Sequence, residues 1–219
     1  YDMRPSSPKF KDAVISGILD ESVDAVDVGM VSTPLFNFAC AFYDDIAGGI
    51  MVTASHNPSE YNGFKMTRNN GLSVGKNIGM DFISSACQRG EWSEVLQLGE
   101  KLERAILPDY KKKLFSIVPF ETIKNFRVVV DCGNGMGGAV LSKVLAGLPL
   151  EIEYLFFEPD GTFPNHEANP IKVETLRALQ TKVKEIRADF GFAMDGDADR
   201  IGLVDENGEV VDASFVGAL

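Results

Sequence analysis

Three carboxylates stand at alternate positions in Asp195-Gly196-Asp197-Ala198-Asp199, between two short apolar runs at 190–193 and 201–204. Nothing else in the chain limits its fold as tightly. Apolar runs of this length bounded by turn residues read as strands, so the acids are confined to a turn between two strands. Like charges held that close raise one another's pKa unless a cation neutralises them. Hard oxygen ligands in a tight turn suit Mg²⁺ or Ca²⁺, with Mg²⁺ favoured where a phosphate oxygen completes the shell. A solvated acidic turn is the alternative. An EF-hand fits poorly: Glu206 falls at the twelfth position from Asp195, but the sixth, which needs Gly, is Arg200, and the flanks read as strands.

Around this turn the pattern alternates between strand and helix. Ser7-Pro8 followed by Phe10, Val14, Ile15, Ile18 and Leu19 predicts a helix with Pro in its first turn. A short strand is expected at 25–30, a helix opened by Ser32-Thr33-Pro34 to about 43, a strand at 49–53, a returning strand at 63–67 and a helix near 80–90. The charged segment 92–110 is the candidate boundary, with a linker at 100–108 and a helix after it. Then come a strand at 127–131, a glycine-rich turn, a helix at 139–145 and a strand at 151–156. A Pro/Asn/Gly loop at 159–170 precedes a helix with Val173, Leu176, Leu179, Val183 and Ile186 on one face. The fold class expected is α/β: two consecutive α/β/α layered domains with mainly parallel mixed sheets.

Two further polar clusters carry chemistry. Thr53-Ala54-Ser55-His56-Asn57-Pro58 leaves a strand, and neighbouring residues on an extended chain point apart, so a Ser–His relay is not assured. A loop of turn-forming residues is the simpler reading. Lys65, ten residues on at the far arm of a possible hairpin, adds a group that could return to Ser55 as proton acceptor or phosphate partner. Gly133, Gly135 and Gly138 satisfy G-x-G-x-x-G between a strand and a helix, the nominal dinucleotide fingerprint. The acid that should follow about twenty residues later would be Glu151 or Glu153, at the start of the next strand rather than its end. A tight strand-to-helix turn needing small residues explains the glycines without NAD.

Composition narrows the partners. Lys and Arg number 21 against 32 Asp and Glu, a net charge of −11, which disfavours a nucleic-acid backbone. No apolar run nears the roughly 20 residues that span a bilayer, so no membrane partner is expected. Cys40, Cys87 and Cys132 form no CxxC pair, which argues against a disulfide framework or zinc site and fits a reducing compartment, the cytoplasm. The chain opens at Tyr1 with no charged-then-apolar leader and closes on an apolar stretch at 214–219; it reads as a piece of something longer.

Taken in order, Ser6-Ser7-Pro8, Thr53-Ala54-Ser55-His56-Asn57-Pro58, Asn62-Gly63-Phe64-Lys65, Val130-Asp131-Cys132-Gly133-Asn134-Gly135, Phe163-Pro164-Asn165-His166 and Asp195-Gly196-Asp197-Ala198-Asp199-Arg200 resemble the α-D-phosphohexomutase family. These are the phosphomannomutases and phosphoglucomutases, and the resemblance covers essentially the whole chain. It implies Ser55 as phosphoryl carrier and Mg²⁺ held by Asp195, Asp197 and Asp199 with a Ser55 phosphate oxygen. Arg200 would contact the phosphoserine region, and Lys65 would act in acid/base transfer with His56 nearby. The implied reaction interconverts hexose 1-phosphate and hexose 6-phosphate, of mannose or glucose, through a hexose 1,6-bisphosphate. The family has four domains. Residues 1–104 would be most of the first, with its opening Arg-bearing segment lying before Tyr1; 105–212 would be the second and 213–219 the start of a third. A non-catalytic module binding phosphosugar and metal, an NAD oxidoreductase and a phosphatase are the competing functions.

Overall fold

The computed structural model describes residues 1–90, 92 and 97–218. In chain order the elements are α1 (Ser7–Asp20), β1 (Ala25–Asp27), α2 (Thr33–Phe42), β2 (Gly48–Val52), β3 (Phe64–Arg68), α3 (Asp81–Arg89), β4 (Lys101–Glu103) and α4 (Leu107–Ile117). Then follow β5 (Phe126–Asp131), α5 (Met136–Val144), β6 (Leu150–Leu155), α6 (Arg177–Ile186), β7 (Phe190–Met194), β8 (Ile201–Asp205), β9 (Val210–Val211) and α7 (Ala213–Val216). Among the described residues, no helix is long and apolar enough to cross a membrane.

The later unit is a five-stranded sheet in the order β6-β5-β7-β8-β9. Within it β5 lies between β6 and β7, and its Val128, Val129 and Val130 are fully buried because both faces are covered. On one face Val129 packs with Ala193, Val204 and the α6 residues Leu179 and Val183. On the other, Val128, Val130 and Cys132 meet Leu141 of α5, Ile152 and Phe192. At roughly 1.5–3 kcal/mol for each large aliphatic side chain removed from water, these two layers dominate the unit's stability. β5 runs parallel to both β6 and β7, whereas β7–β8 and β8–β9 are antiparallel. With Met194 opposite Ile201, only residues 195–200 connect β7 to β8, too few for the crossover a parallel partner requires. The acidic turn is therefore a hairpin loop at the carboxyl end of the central strands, where ligands bind in open α/β sheets.

The earlier unit holds two small sheets. β1 and β4 pair in parallel, and β2 and β3 form an antiparallel hairpin whose connection is the serine loop. Residues 1–2 stitch the sheets together: Tyr1 bonds the backbones of Gly29 and Val31 on one side, and the Asp2 amide reaches the Val52 carbonyl at 3.0 Å on the other. Beneath them lie Val31, Leu35, Phe36, Ala39, Cys40, Met51 and Ile106.

Two expectations need adjusting. The segment 100–108 is not a free linker: Lys101–Glu103 is β4, fully paired to β1, and Ile106 enters the first core. All three β4 residues are exposed, so no apolar alternation announces the strand. The sheets are also less parallel than the strand–helix alternation suggests, since three of the six described pairings are antiparallel. The boundary segment 92–110 lies partly outside the described residues.

Candidate active site

The serine loop of the first unit and the acidic loop of the second meet directly. Ser55 Oγ donates to Asp195 Oδ2 at 2.8 Å. Ser55 has φ 53°, the left-handed region where a side chain is strained, and its amide is tied to Thr53 Oγ1 at 2.9 Å. What admits this approach is Gly196, where a Cβ would lie 2.6 Å from the Ser55 carbonyl oxygen.

Each acid of the turn has its own surroundings. Asp195 is fully buried; its Oδ1 accepts the amides of Asp199 and Arg200 at 3.0 and 3.1 Å. Burial first, and then the charges of Asp197 and Asp199, push its carboxyl up to about 7, against the pull of the Ser55 hydroxyl. Asp197 is equally buried. Burial drives its carboxyl upward too, but the Lys65 ammonium and the Thr33 hydroxyl outweigh that and hold it below the usual range. Lys65 Nζ sits 2.6 Å from Asp197 Oδ2 and 2.6 Å from Asp199 Oδ2. Burial lowers this lysine and the two carboxylates more than compensate, so it stays protonated well above neutral pH.

Arg200 Nη1 stands 2.6 Å from His56 Nδ1. A guanidinium has only donors, so Nδ1 accepts and the neutral imidazole carries its proton on Nε2. Burial and the Arg200 charge both lower the His56 pKa, in agreement with that tautomer. Arg200 also reaches toward Asp195 and Asp199, at 3.9 and 4.0 Å.

All the sequence-predicted groups, Ser55, His56, Lys65, Asp195, Asp197, Asp199 and Arg200, thus gather at one seam between the units. Lys65, expected to return to Ser55, binds Asp197 and Asp199 instead. Two residues were not foreseen. Thr33, read only as part of a helix start, donates both its amide and its hydroxyl to Asp197, the amide at 2.9 Å to the carbonyl and the hydroxyl to Oδ2. It also aims the positive end of α2 at the acidic loop. Arg4, fully buried, bonds four carbonyls of the serine loop. A capping threonine and an arginine near a chain start look ordinary in sequence; only the hint of Asp2 beside Arg4 suggests a buried pair.

The residues fit a metal ion. Asp195, Asp197 and Asp199 offer oxygens that all lie within 4.8 Å of one another. Asp197 Oδ1 is buried with no hydrogen-bond partner, while Oδ2 of the same carboxylate is held by Lys65 and Thr33. A buried carboxylate oxygen left over in this way needs a partner, and a hard cation supplies one.

The glycine turn has a different task. Residues 131–138 are all buried, and the amides a pyrophosphate would require are already taken. Gly133 N bonds Asp131 Oδ1, Asn134 N the Phe156 carbonyl, Gly135 N the Cys132 carbonyl and Met136 N the Gly196 carbonyl, all at 2.7–2.9 Å. A Cβ on Gly135 would lie 2.7 Å from Gly196 O. The small residues let the acidic loop rest on this turn and leave no room for NAD. Behind it, His166 Nε2 meets both oxygens of the buried Asp131 at 3.2 and 3.0 Å.

Comparison with known proteins agrees with this architecture. Residues 1–93 match the phosphoglucomutase/phosphomannomutase alpha/beta/alpha domain I, and residues 108–208 match alpha/beta/alpha domain II of the same proteins. A phosphomannomutase of Vibrio cholerae is 35% identical over 223 residues, covering 100% of this chain and 48% of the relative. A phosphomannomutase/phosphoglucomutase of Pseudomonas putida is 38% identical, covering 96% and 44%. The crystal structure of a phosphoglucomutase/phosphomannomutase family protein from Burkholderia thailandensis superposes with a TM-score of 0.84 at 32% identity, over 96% of this chain and 46% of that one. The chain spans about half the length of the curated relatives it matches. With both domain matches in sequence, and the serine and acidic loops joined as described, the chain belongs to the α-D-phosphohexomutase family.

Proposed function

We propose that the intact protein carrying this chain is a phosphohexomutase, interconverting the 1- and 6-phosphates of mannose or glucose, with Ser55 as phosphoryl carrier. The observation that carries the reading is the Ser55 Oγ–Asp195 Oδ2 contact of 2.8 Å, which joins a hydroxyl of one unit to the acids of the next. Asp195, Asp197 and Asp199, with an oxygen of phosphorylated Ser55, would hold Mg²⁺. Bound there, the ion supplies charge neutralisation: a phosphoserine adds about −1.5 to −2 charges beside three carboxylates.

In the forward half-reaction the Ser55 Oγ–P bond breaks and a bond from phosphorus to a sugar hydroxyl forms, giving the hexose 1,6-bisphosphate. The hydroxyl's proton ends on Ser55 Oγ. Lys65, kept charged by Asp197 and Asp199, would give a proton to the departing Ser55 Oγ and take the sugar hydroxyl's proton in its place, while His56, its Nδ1 held by Arg200, presents Nε2–H nearby as a hydrogen-bond donor. The bisphosphate reorients, and the other phosphoryl group returns to Ser55 by the reverse path. We assign residues 1–104 to the first domain, 105–212 to the second and 213–219 to the start of a third. The cytoplasm is the proposed compartment, in keeping with three free thiols, two of them buried.

The test is the mass of the intact protein after exposure to hexose 1,6-bisphosphate. A gain of about 80 Da on Ser55, the mass of a phosphoryl group, together with loss of mutase activity in Ser55→Ala, supports the carrier role. Near-normal turnover in Ser55→Ala refutes it.

A further inference from the structure

The serine loop is wrapped around one buried cation. A guanidinium carries five N–H donors in a rigid plane, and Arg4 uses all of them. Nε donates to Asp2 Oδ2 at 3.2 Å, Nη1 to the carbonyls of Pro58 and Tyr61 at 2.6 and 3.1 Å, and Nη2 to the carbonyls of Ser55 and Asn57 at 2.9 and 2.7 Å. Asp2 is as buried as Arg4, and its Oδ1 accepts from Ser7 Oγ at 2.5 Å and the Arg4 amide at 3.1 Å. From the second unit, the Phe163 ring lies 5.2 Å from the guanidinium carbon.

None of the four carbonyls belongs to a helix or strand ladder; the Pro58 carbonyl also accepts the Tyr61 amide at 3.1 Å, and Arg4 is the one side chain that gathers all four. Two consequences bear on the carrier. The left-handed backbone of Ser55 is a conformation that persists only where the surroundings over-determine it. Arg4 fixes its carbonyl while Asp195 receives its hydroxyl. The loop must also accept and release a dianionic group without rearranging, and carbonyl dipoles left unpaired beside that charge would repel it. Arg4 turns their negative ends onto a permanent cation.

We propose that Arg4 is the positioning residue of the phosphoryl carrier, holding the Ser55 backbone so that Oγ keeps its alignment through each addition and removal of the phosphoryl group. The inference rests on Ser55 being the carrier. Lysine cannot replace arginine here: its three donors leave at least two of the five acceptors without the side-chain bond that arginine gives them.

The experiment compares the intact protein with Arg4→Lys, which keeps the charge and the aliphatic stem. Misplacing the carrier by about 1 Å should lower kcat about 100-fold, with KM for the sugar phosphate changed by no more than about threefold, because Arg4 makes no contact a sugar would share. Phosphorus NMR of phospho-Ser55 should pass from one narrow resonance to a broadened or split one. A second measurement needs no variant. Nitrogen NMR of the arginine side chains should show the Arg4 Nη groups locked against rotation, and shifted when Ser55 is phosphorylated. If Arg4→Lys fails to fold, that measurement decides alone. Unchanged kcat and phosphorus resonance in Arg4→Lys, or a freely rotating Arg4 blind to phosphorylation, overturns the proposal while leaving the carrier in place. Absence of phosphoserine from the unsubstituted protein would instead remove the carrier reading itself.

Discussion

Gly196→Ala offers a sharp test of how the two units share the site. Gly196 does not occupy the left-handed region, so its backbone would accept a side chain; the penalty is contact alone. A Cβ there would lie 2.6 Å from the Ser55 carbonyl oxygen, 3.3 Å from Phe163 Cζ and 3.6 Å from Met3 Cε. Even a weak C–H···O contact keeps carbon and oxygen about 3.3 Å apart, so serine loop and acidic loop must separate by roughly 0.7 Å. The oxygen cannot move alone, because Arg4 Nη2 holds it at 2.9 Å. Overpacking of this kind costs about 1–3 kcal/mol, and for a chain of this size each kcal/mol lowers Tm by about 2–4 °C.

The chemical cost is larger than the structural one, because the displaced atoms belong to the proposed carrier. Misalignment of this order should slow phosphoryl uptake by Ser55 from hexose 1,6-bisphosphate about 100-fold, followed by intact mass against time beside a thermal melt. Gly17→Ala is the control: nothing lies within 4 Å of a Cβ at that position in α1. It should stabilise the protein by about 0.5–1 kcal/mol through helix propensity and leave uptake unchanged. Were Gly196→Ala to melt like the unsubstituted protein and take up phosphoryl within about twofold of its rate, the seam would be looser than these distances state, and the reasoning would fail.

Thr33→Val keeps the shape of the α2 start but removes the hydroxyl from Asp197 Oδ2. Loss of such an outer support should weaken Mg²⁺ binding about 10–100-fold, read by calorimetric titration; an unaltered isotherm would deny Thr33 that role. The His166–Asp131 pair gives a pH dependence. Burial lowers the imidazole pKa, but Asp131 and the Glu167 carbonyl outweigh burial and raise it. The pair's contribution to folding is therefore complete below the unfolded histidine value near 6.5 and declines as pH rises through the higher folded one. Urea denaturation across that range should show stability falling with pH, and His166→Gln should flatten the slope; parallel profiles for the two proteins would contradict the pairing.

What the sequence disclosed follows from how local each signal is. β5 announces itself because a strand buried on both faces must be apolar at every position, and Val128-Val129-Val130 are. The acidic turn is legible because three acids so close need a reason wherever they fold. The antiparallel β7–β8 hairpin was readable in principle from the short span 195–200, yet the strand–helix rhythm on either side favours a parallel reading. β4 is hidden by its exposure, since it contributes ladder bonds to β1 and little apolar surface. Arg4 was beyond reach: its partners at Ser55, Asn57, Pro58 and Tyr61 are backbone carbonyls more than fifty positions away, and any sequence supplies carbonyls. Lys65 shows the same limit from the other side, for its position was legible while its partners in the second unit were not.

The bonds that join the units are also the bonds the proposed chemistry must alter. Ser55–Asp195 exists only while Oγ carries a hydrogen; a phosphoserine has no ester-oxygen hydrogen to donate and would bring about −1.5 to −2 charges toward Asp195, Asp197 and Asp199. Phosphorylation therefore converts an attractive contact into a repulsive one. At the site itself, the cross-unit bonds that do not use the Ser55 hydroxyl are the Thr33 amide on the Asp197 carbonyl, the Thr33 hydroxyl, Lys65 on its two carboxylates and His56–Arg200. Three of these four act on Asp197 or Asp199 and none on Asp195. Asp195, the acid that faces Ser55, takes no cation from the first unit and has the Arg200 guanidinium no nearer than 3.9 Å, and its carboxyl is the one pushed up to about 7. Together with the unpartnered Oδ1 of Asp197, this puts the demand for a cation between Ser55 and the acidic loop, where the phosphate oxygens of the proposed carrier would arrive.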